Sequence, residues 1–331
     1  MPPGANLGIV YLSEALAPMA DDIVRALRER TGVREWLGAC GGAVLGGPAG
    51  ASDDGLAVLV TRMPEDSFRI LPSQMALPAQ VGLLLAHAEL GDAEPHMIMA
   101  DLTRHGARMV VGGLIAAGRS PVQIAETVMG GAAVCIGFRD DLPVVGGMAV
   151  AGSPMGPLHS VTSAVGSDVL ALDGRPALEV MTDEMGDLFR HAGGRFAGNL
   201  WLAEPSGPAD AREALRMRWI TGIDAGRGAL RLEGGRPGAQ VRLMRPDPAG
   251  SRVRVRELAR SLNGRLSGSP AKAGVYLASR HRGRSLFGPA ADEIAWLREE
   301  LGPLPLIGLV TDAEIFDGVV HEAAGVLVLI G

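Results

Sequence analysis

Six side chains stand where they could do chemistry. Arg282 carries a planar guanidinium fork that can hold a carboxylate through two hydrogen bonds, either a ligand's or that of a neighbouring acid such as Glu314. Glu314 lies in an apolar run between Leu309-Val310 and Ile315-Phe316, which makes it a paired buried acid or an anchor for a ligand amine. Ser279 can give or take one hydrogen bond but has no adjacent base to make it a nucleophile. Cys40 adjoins Gly41-Gly42, as a small buried thiol or as a group lining a ligand. His159 follows the loop 152–157, as a surface or core imidazole or as a ligand-binding one. His281 lies between Arg280 and Arg282, whose positive field disfavours its charged form.

The motifs of several enzyme classes are missing. Lys272 is the chain's single lysine and sits in Ser269-Pro270-Ala271-Lys272, so there is no phosphate-binding GxxxxGK[ST] loop, and Lys272 reads as a solvated residue before a strand. No GxGxxG follows a candidate strand, which removes the dinucleotide fingerprint. Around Ser153 the run Ala151-Gly152-Ser153-Pro154-Met155-Gly156 misses the first glycine of a nucleophile elbow. His321-Glu322-Ala323-Ala324-Gly325 starts like HExxH but lacks its second histidine. Cys40 and Cys135, 95 positions apart, form no CxxC pair.

These residues must be positioned by a substantial fold. The chain has 331 residues, 47% of them hydrophobic, enough for a sizeable core. The net charge of −6 disfavours a general nucleic-acid binder, which needs a basic surplus. No signal segment opens the chain, and the most apolar stretch, 109–118, is far short of the roughly 20 residues a bilayer helix needs. The expected location is the cytoplasm, with no membrane partner. Glycine is the outlier at 47 residues, about twice the ~7% norm, which predicts tight turns and close backbone approach.

Three segments share one layout of strand, crossover, glycine turn and return strand. The first has a strand at Gly8–Ser13, then a helix marked by Met19, Ile23 and Leu27, with Asp21-Asp22 at its start, Arg28 and Arg30 at its end and Gly32 as the stop. A turn at Trp36–Gly42 and a strand at Leu56–Thr61 complete it. The last has Gly274–Ala278, a helix opened by Asp292-Glu293 and closed by Gly302, a turn at Leu306–Gly308 and a strand at Gly325–Ile330. The middle one runs from His96–Asp101 through Met109–Gly113 to Ala132–Phe138. From turn glycine to return strand the spacings are 56 − 38 = 18, 132 − 113 = 19 and 325 − 308 = 17. Elsewhere, Ala203–Asp210 reads as a linker, Ala229–Leu232 with Gln240–Met244 as a hairpin, and Arg252, Arg254 and Arg256 as one face of a strand. The expected fold is α/β: two related α/β halves with mixed sheets and crossover helices, and a ligand cleft between them.

Four stretches resemble the FIST domain family: 37–46, Leu-Gly-Ala-Cys-Gly-Gly-Ala-Val-Leu-Gly; 110–114, Val-Val-Gly-Gly-Leu; 152–157 with 172–179; and 282–288 through 305–308 to 313–315. The resemblance implies an N-terminal domain over 1–205 and a C-terminal domain over 211–331. It also implies a non-enzymatic intracellular sensor that binds a small metabolite, an amino acid or another carboxylate, between its halves. Its partner would be a signalling protein such as a histidine kinase or a cyclic-dinucleotide enzyme. Site residues expected on this basis are Cys40, Gly41, Gly42, Gly112, Gly113, Ser279, Arg282 and Glu314, with no cofactor required. The alternative implied by the family is a haem-based gas sensor using His159 or His281; further alternatives are an enzyme using Glu314 beside Arg282, and an interaction scaffold. The chain departs from the family pattern at Ser279, where many members have cysteine, and at Ala313, where they have glycine.

Overall fold

Strand β1 (Leu7–Ser13) is buried along its whole length. It feeds helix α1 (Ala20–Thr31), whose acidic first turn and basic last turn complement the helix dipole. Gly32 caps α1 in the left-handed region at φ 71°, and its N–H donates to the Arg28 carbonyl. Ala20 and Val24 form the buried stripe of α1, whereas Met19, expected on that face, is half exposed just before the helix. Strand β2 (Glu35–Gly41) returns parallel to β1. A hairpin of β3 (Val44–Gly47) and β4 (Gly50–Ser52) follows, and β5 (Leu56–Thr61) pairs antiparallel on the other side of β1.

The computed structural model describes residues 1–47, 50–72, 80–90, 102, 106–116, 122–130, 133–186, 200–205, 215–233, 235–266, 268–288 and 292–331. The middle lobe has the same order. After β6 (Phe68–Pro72) come β7 (Val81–Leu90), the parallel β8 (Met109–Ala116), a hairpin of β9 (Gln123–Ile124) and β10 (Val128–Met129), and the antiparallel β11 (Ala133–Arg139). The strand expected at 96–101 lies outside the described residues, and β7 holds the position assigned to it. Strand β12 (Val144–Val150) then leads into a different structure.

The chain divides into two compact units, residues 1–149 with 252–331, and residues 150–251. The second unit contains β13 (Ser153–Pro154), β14 (His159–Val165), β15 (Asp168–Leu172), β16 (Arg175–Pro176), helix α2 (Ala177–Met185), β17 (Trp201–Pro205), β18 (Leu215–Asp224), β19 (Ala229–Leu232) and β20 (Gln240–Arg245). The order β20-β14-β15-β19-β18-β17, with β17 pairing back to β20, closes a six-stranded antiparallel barrel. Its core takes Val180, Met181 and Met185 from α2. The expected 229–244 hairpin does not form: β19 pairs with β15 and β18, and β20 with β14 and β17. The connection between them is too long to impose a local register, so more distant partners decide the pairing. Ala203–Pro205 of the expected linker are the end of β17, and 206–210 lie outside the described residues.

The third lobe follows α3 (Pro248–Arg265). The alternating arginines expected on a strand are part of this helix, which buries Val255, Ala259 and Leu262 at helical spacing. Arg256 and Arg260 pair with Glu299 and Glu300. The lobe runs through β21 (Ala273–Ser279), α4 (Gly283–Phe287), α5 (Glu293–Leu301), the parallel β22 (Leu306–Thr311), a hairpin of β23 (Ala313–Phe316) and β24 (Val319–His321), and the antiparallel β25 (Ala324–Ile330). The Asp292 carboxylate accepts from the Ala295 N–H at 3.0 Å and starts α5, as its sequence position predicts.

The first unit thus contains three lobes of one design, and they exchange their hairpins. Strand β3 of the first lobe pairs with β22 of the third, β23 of the third with β8 of the second, and β9 of the second with β2 of the first. This exchange closes a ring of connections, and residues from all three sheets pack in one shared core. The expected α/β class with mixed sheets is what the structure has, and all three repeated segments lie within this one unit.

The glycines expected in turns lie instead inside strands. Gly38, Gly112 and Gly308 occupy the same place in β2, β8 and β22, paired in parallel with Val10, Ala86 and Tyr276. A Cβ on any of them would overlap the carbonyl oxygen of that partner. Glycine is therefore required here by a close strand approach, not by a bend, and the middle lobe's equivalent is Gly112 rather than Gly113.

Candidate functional site

The repeat defines equivalent positions across the lobes. On the inner face of the first sheet, Tyr11 pairs with Ala39, which pairs with Gln123. In the second, His87 pairs with Gly113, which pairs with Glu314, which pairs with His321. In the third, the same row reads Leu277, Leu309 and Val44. Directly paired residues project to one face, so two rows bring polar groups into the core while the third is apolar. Gln123, His87, Glu314 and His321 have no solvent exposure. The rows lie close to the carboxyl ends of the parallel strands, the end at which α/β sheets take ligands.

Tyr11 Oη and His87 Nε2 lie 3.1 Å apart, with the rings edge to face. Burial pushes the His87 imidazole down to about 3 and the Tyr11 phenol upward, so both are neutral at physiological pH. Among the described residues His87 Nδ1 has no hydrogen-bond partner, and neither amide atom of Gln123 has one. Two positions beyond His87, one buried carboxylate oxygen of Glu89 is also unpartnered. Each such buried group costs about 1–3 kcal/mol unless something satisfies it.

Ser279, Arg282 and Glu314 meet around Ala323-Ala324. The Ser279 hydroxyl accepts from the Ala323 N–H at 3.2 Å and from the His281 N–H at 3.2 Å. Glu314 accepts from the Thr311 hydroxyl at 2.8 Å and from the Ala324 N–H at 3.2 Å. Burial raises its pKa well above the usual carboxylate range, against the opposing pull of these two bonds and of Arg282. Arg282 is fully buried, and its carboxylate partner is Glu293, at 3.0 and 3.2 Å, rather than Glu314. Its Nη1 also donates to the carbonyls of Ala149 and Ala323. Tyr276 donates to Glu293 at 2.5 Å.

The other expected residues lie elsewhere. Gly113 is in the polar row between His87 and Glu314, and Gly112 is at the close strand approach. Gly41 packs against β22, where a Cβ would stand 2.6 Å from the Val310 carbonyl oxygen, and Gly42 donates its N–H to that same oxygen. The Cys40 side chain belongs to the outer core beside α1 and donates to the Ser13 carbonyl at 3.2 Å; burial pushes its thiol up to about 12. His159, in the barrel unit, has Nδ1 2.6 Å from Asp173 and Nε2 2.7 Å from Glu184, so an iron ligand there would have to displace a carboxylate. His281 is half-buried.

Sequence reasoning missed Tyr11, His87, Gln123, Thr311 and Glu293. A usable signal existed for two of them: Gln123 is the single polar residue of the apolar run 122–125, and His87 shares the otherwise apolar run 81–90 with Glu89 alone. Glu293 was legible as a helix-start acid, but its burial against Arg282 was not.

Among the described residues no group of His, Cys, Asp and Glu could hold a metal ion, and no helix is long and apolar enough to cross a membrane. A model of the FIST N domain matches residues 6–175, and a model of the FIST C domain matches residues 177–317. No curated protein matches the chain. FIST domains are sensory domains of signal transduction proteins, and this chain, matched by both models over nearly its whole length, belongs to the FIST family.

Proposed function

We propose that this chain is a small-molecule sensor that takes a metabolite at the polar rows of its three-lobed unit and reports it to a separate signalling protein, such as a histidine kinase or a cyclic-dinucleotide enzyme. The observation that carries the reading is the Gln123 amide, fully buried with both polar atoms unpartnered on the same inner face as Tyr11. A glutamine kept for structure would have its amide satisfied. Here the amide and the neutral His87 imidazole supply donors and an acceptor for a bound group. Arg282, the expected carboxylate holder, is already committed to Glu293. The group met by Gln123 and His87 is therefore an uncharged carbonyl, amide or hydroxyl, and the apolar third row receives a hydrocarbon part.

Binding, not turnover, is the activity this arrangement favours. The Ser279 hydroxyl accepts from two backbone N–H groups, and both oxygens of Glu314 accept hydrogen bonds from the protein. Contacts to rows from different lobes would favour one arrangement of the lobes, a population shift that a partner can read. Native mass spectrometry of the purified protein, followed by thermal-shift screening of neutral polar metabolites, tests the reading. A true ligand at a hundredfold excess over Kd adds about 2.7 kcal/mol of stability. Gln123→Met should abolish that gain; a gain that survives the substitution would place the ligand elsewhere.

A further inference from the structure

The repeat also aligns the row beyond the polar one. Two positions past Tyr11, His87 and Leu277, the inner face carries Ser13, Glu89 and Ser279, paired with Gly41, Ile115 and Thr311. In the first and third lobes this place belongs to a buried serine. Its hydroxyl accepts the backbone N–H just before the return strand, from Gly55 at 3.0 Å for Ser13 and from Ala323 at 3.2 Å for Ser279. Packing alone is thus served here by a short side chain that the main chain satisfies.

Glu89 departs from that pattern. It is longer than serine and acidic, and one of its carboxylate oxygens is buried without a partner among the described residues. The side chain as a whole is half-buried near the carboxyl end of β7. No cation among the described residues pairs with it, and Arg282 is committed to Glu293. Glu314, the other acid near this end, has both oxygens engaged by Thr311 and Ala324. Glu89 therefore puts an uncompensated carboxylate on the face that holds the unpartnered His87 Nδ1 and Gln123 amide.

We propose that the ligand of the polar rows is an organic cation whose positive nitrogen rests on Glu89 while its neutral carbonyl or amide, about 6–7 Å away, meets His87 and Gln123. This rests on the sensor-site reading above and adds to it the charge and the length of the molecule. The length follows from β7, because residues two apart on one face of a strand are separated by two rises of about 3.3 Å. Four methylenes between an amine and an amide carbon span that distance. An inorganic cation would answer Glu89 and leave His87 and Gln123 without partners. A neutral amide would answer those two and leave the buried carboxylate oxygen unpaired, which is costly. A carboxylate at the neutral end would find no cation there.

Isothermal titration of the full chain with 5-aminopentanamide, pentanamide and 5-aminopentanoate tests this. Saturable binding of 5-aminopentanamide is expected, with the other two at least tenfold weaker. Glu89→Gln should weaken 5-aminopentanamide at least tenfold and bring it level with pentanamide, and Gln123→Met should abolish its binding. Circular dichroism will check the fold of each variant, while the comparison of the three compounds needs only the unaltered protein. Pentanamide binding as tight as 5-aminopentanamide, and lost in Gln123→Met, would overturn the cationic ligand and leave the sensor-site reading standing. No saturable binding of 5-aminopentanamide, or binding indifferent to Glu89→Gln, would also overturn it. Binding that needs Glu89 yet survives Gln123→Met would overturn this inference and the sensor-site reading together.

Discussion

Replacing Gln123 by methionine separates a ligand-binding glutamine from a structural one, because the two roles predict opposite signs. The side chain is fully buried on the inner face, and its carbonyl and amide have no partners. Methionine has similar length, no strongly polar atoms and enough flexibility to fill an irregular space. Removing unsatisfied buried polar groups should stabilise the unliganded protein by about 1–3 kcal/mol. For a cooperative unit of this size each kcal/mol moves Tm by roughly 2–4 °C, so differential scanning calorimetry should show a rise of about 2–12 °C. The same variant should lose any stabilisation by the metabolite. This is the trade between stability and function expected where a binding site carries unsatisfied groups. A fall in Tm by several degrees would refute the reasoning, since it would mean that the amide is satisfied in the folded protein and belongs to the packing.

Gly308→Ala should cost about 3 kcal/mol or more, because its Cβ would overlap the Tyr276 carbonyl between two paired strands; chemical denaturation will measure this. For His159, burial alone would lower the pKa, but the hydrogen bonds that its ring nitrogens donate to Glu184 and Asp173 outweigh it and the net shift is upward. Its contribution is therefore complete below the unfolded value near 6.5 and is lost as pH rises through the folded value. His159→Gln should flatten the loss of barrel stability above neutral pH, followed by thermal melts across pH. Glu314→Gln should stabilise the protein more at pH 8 than at pH 5, since the raised carboxyl pKa makes stability fall as pH climbs above about 4.5. An amide can still accept from the Ala324 N–H while donating to Thr311. Cys40 and Cys135, both buried with thiols pushed up to about 12, should resist iodoacetamide at pH 8 until the protein is unfolded, as intact-mass measurement will show.

Local physics made part of the molecule legible. The helix at 20–31 could be bounded from its charged ends and Gly32, the start of α5 from Asp292, and the apolar strands of the first and third lobes from their residues alone. The repeat of strand, crossover, strand and return strand was readable from spacing, and four short motifs carried the family. Glycine misled because its two uses look alike in a sequence. A bend and a close strand approach both demand a missing Cβ, but the second depends on a carbonyl 26 to 32 residues away in Ala86, Val10 or Tyr276.

The sequence by itself determined the helix at 20–31, the start of α5, the apolar strands of the repeat and the membership of the family, because those follow from interactions between near neighbours along the chain. Only the tertiary structure decided that the lobes exchange hairpins, that residues 150–251 close into a barrel, and that Arg282 is spent on Glu293. It also brought Tyr11 and His87 together across 76 positions, and set Gln123 two strands away from Tyr11 on one face. The physical reason is that a buried polar group takes its character from the atoms that enclose it, and here those atoms come from three distant parts of the chain.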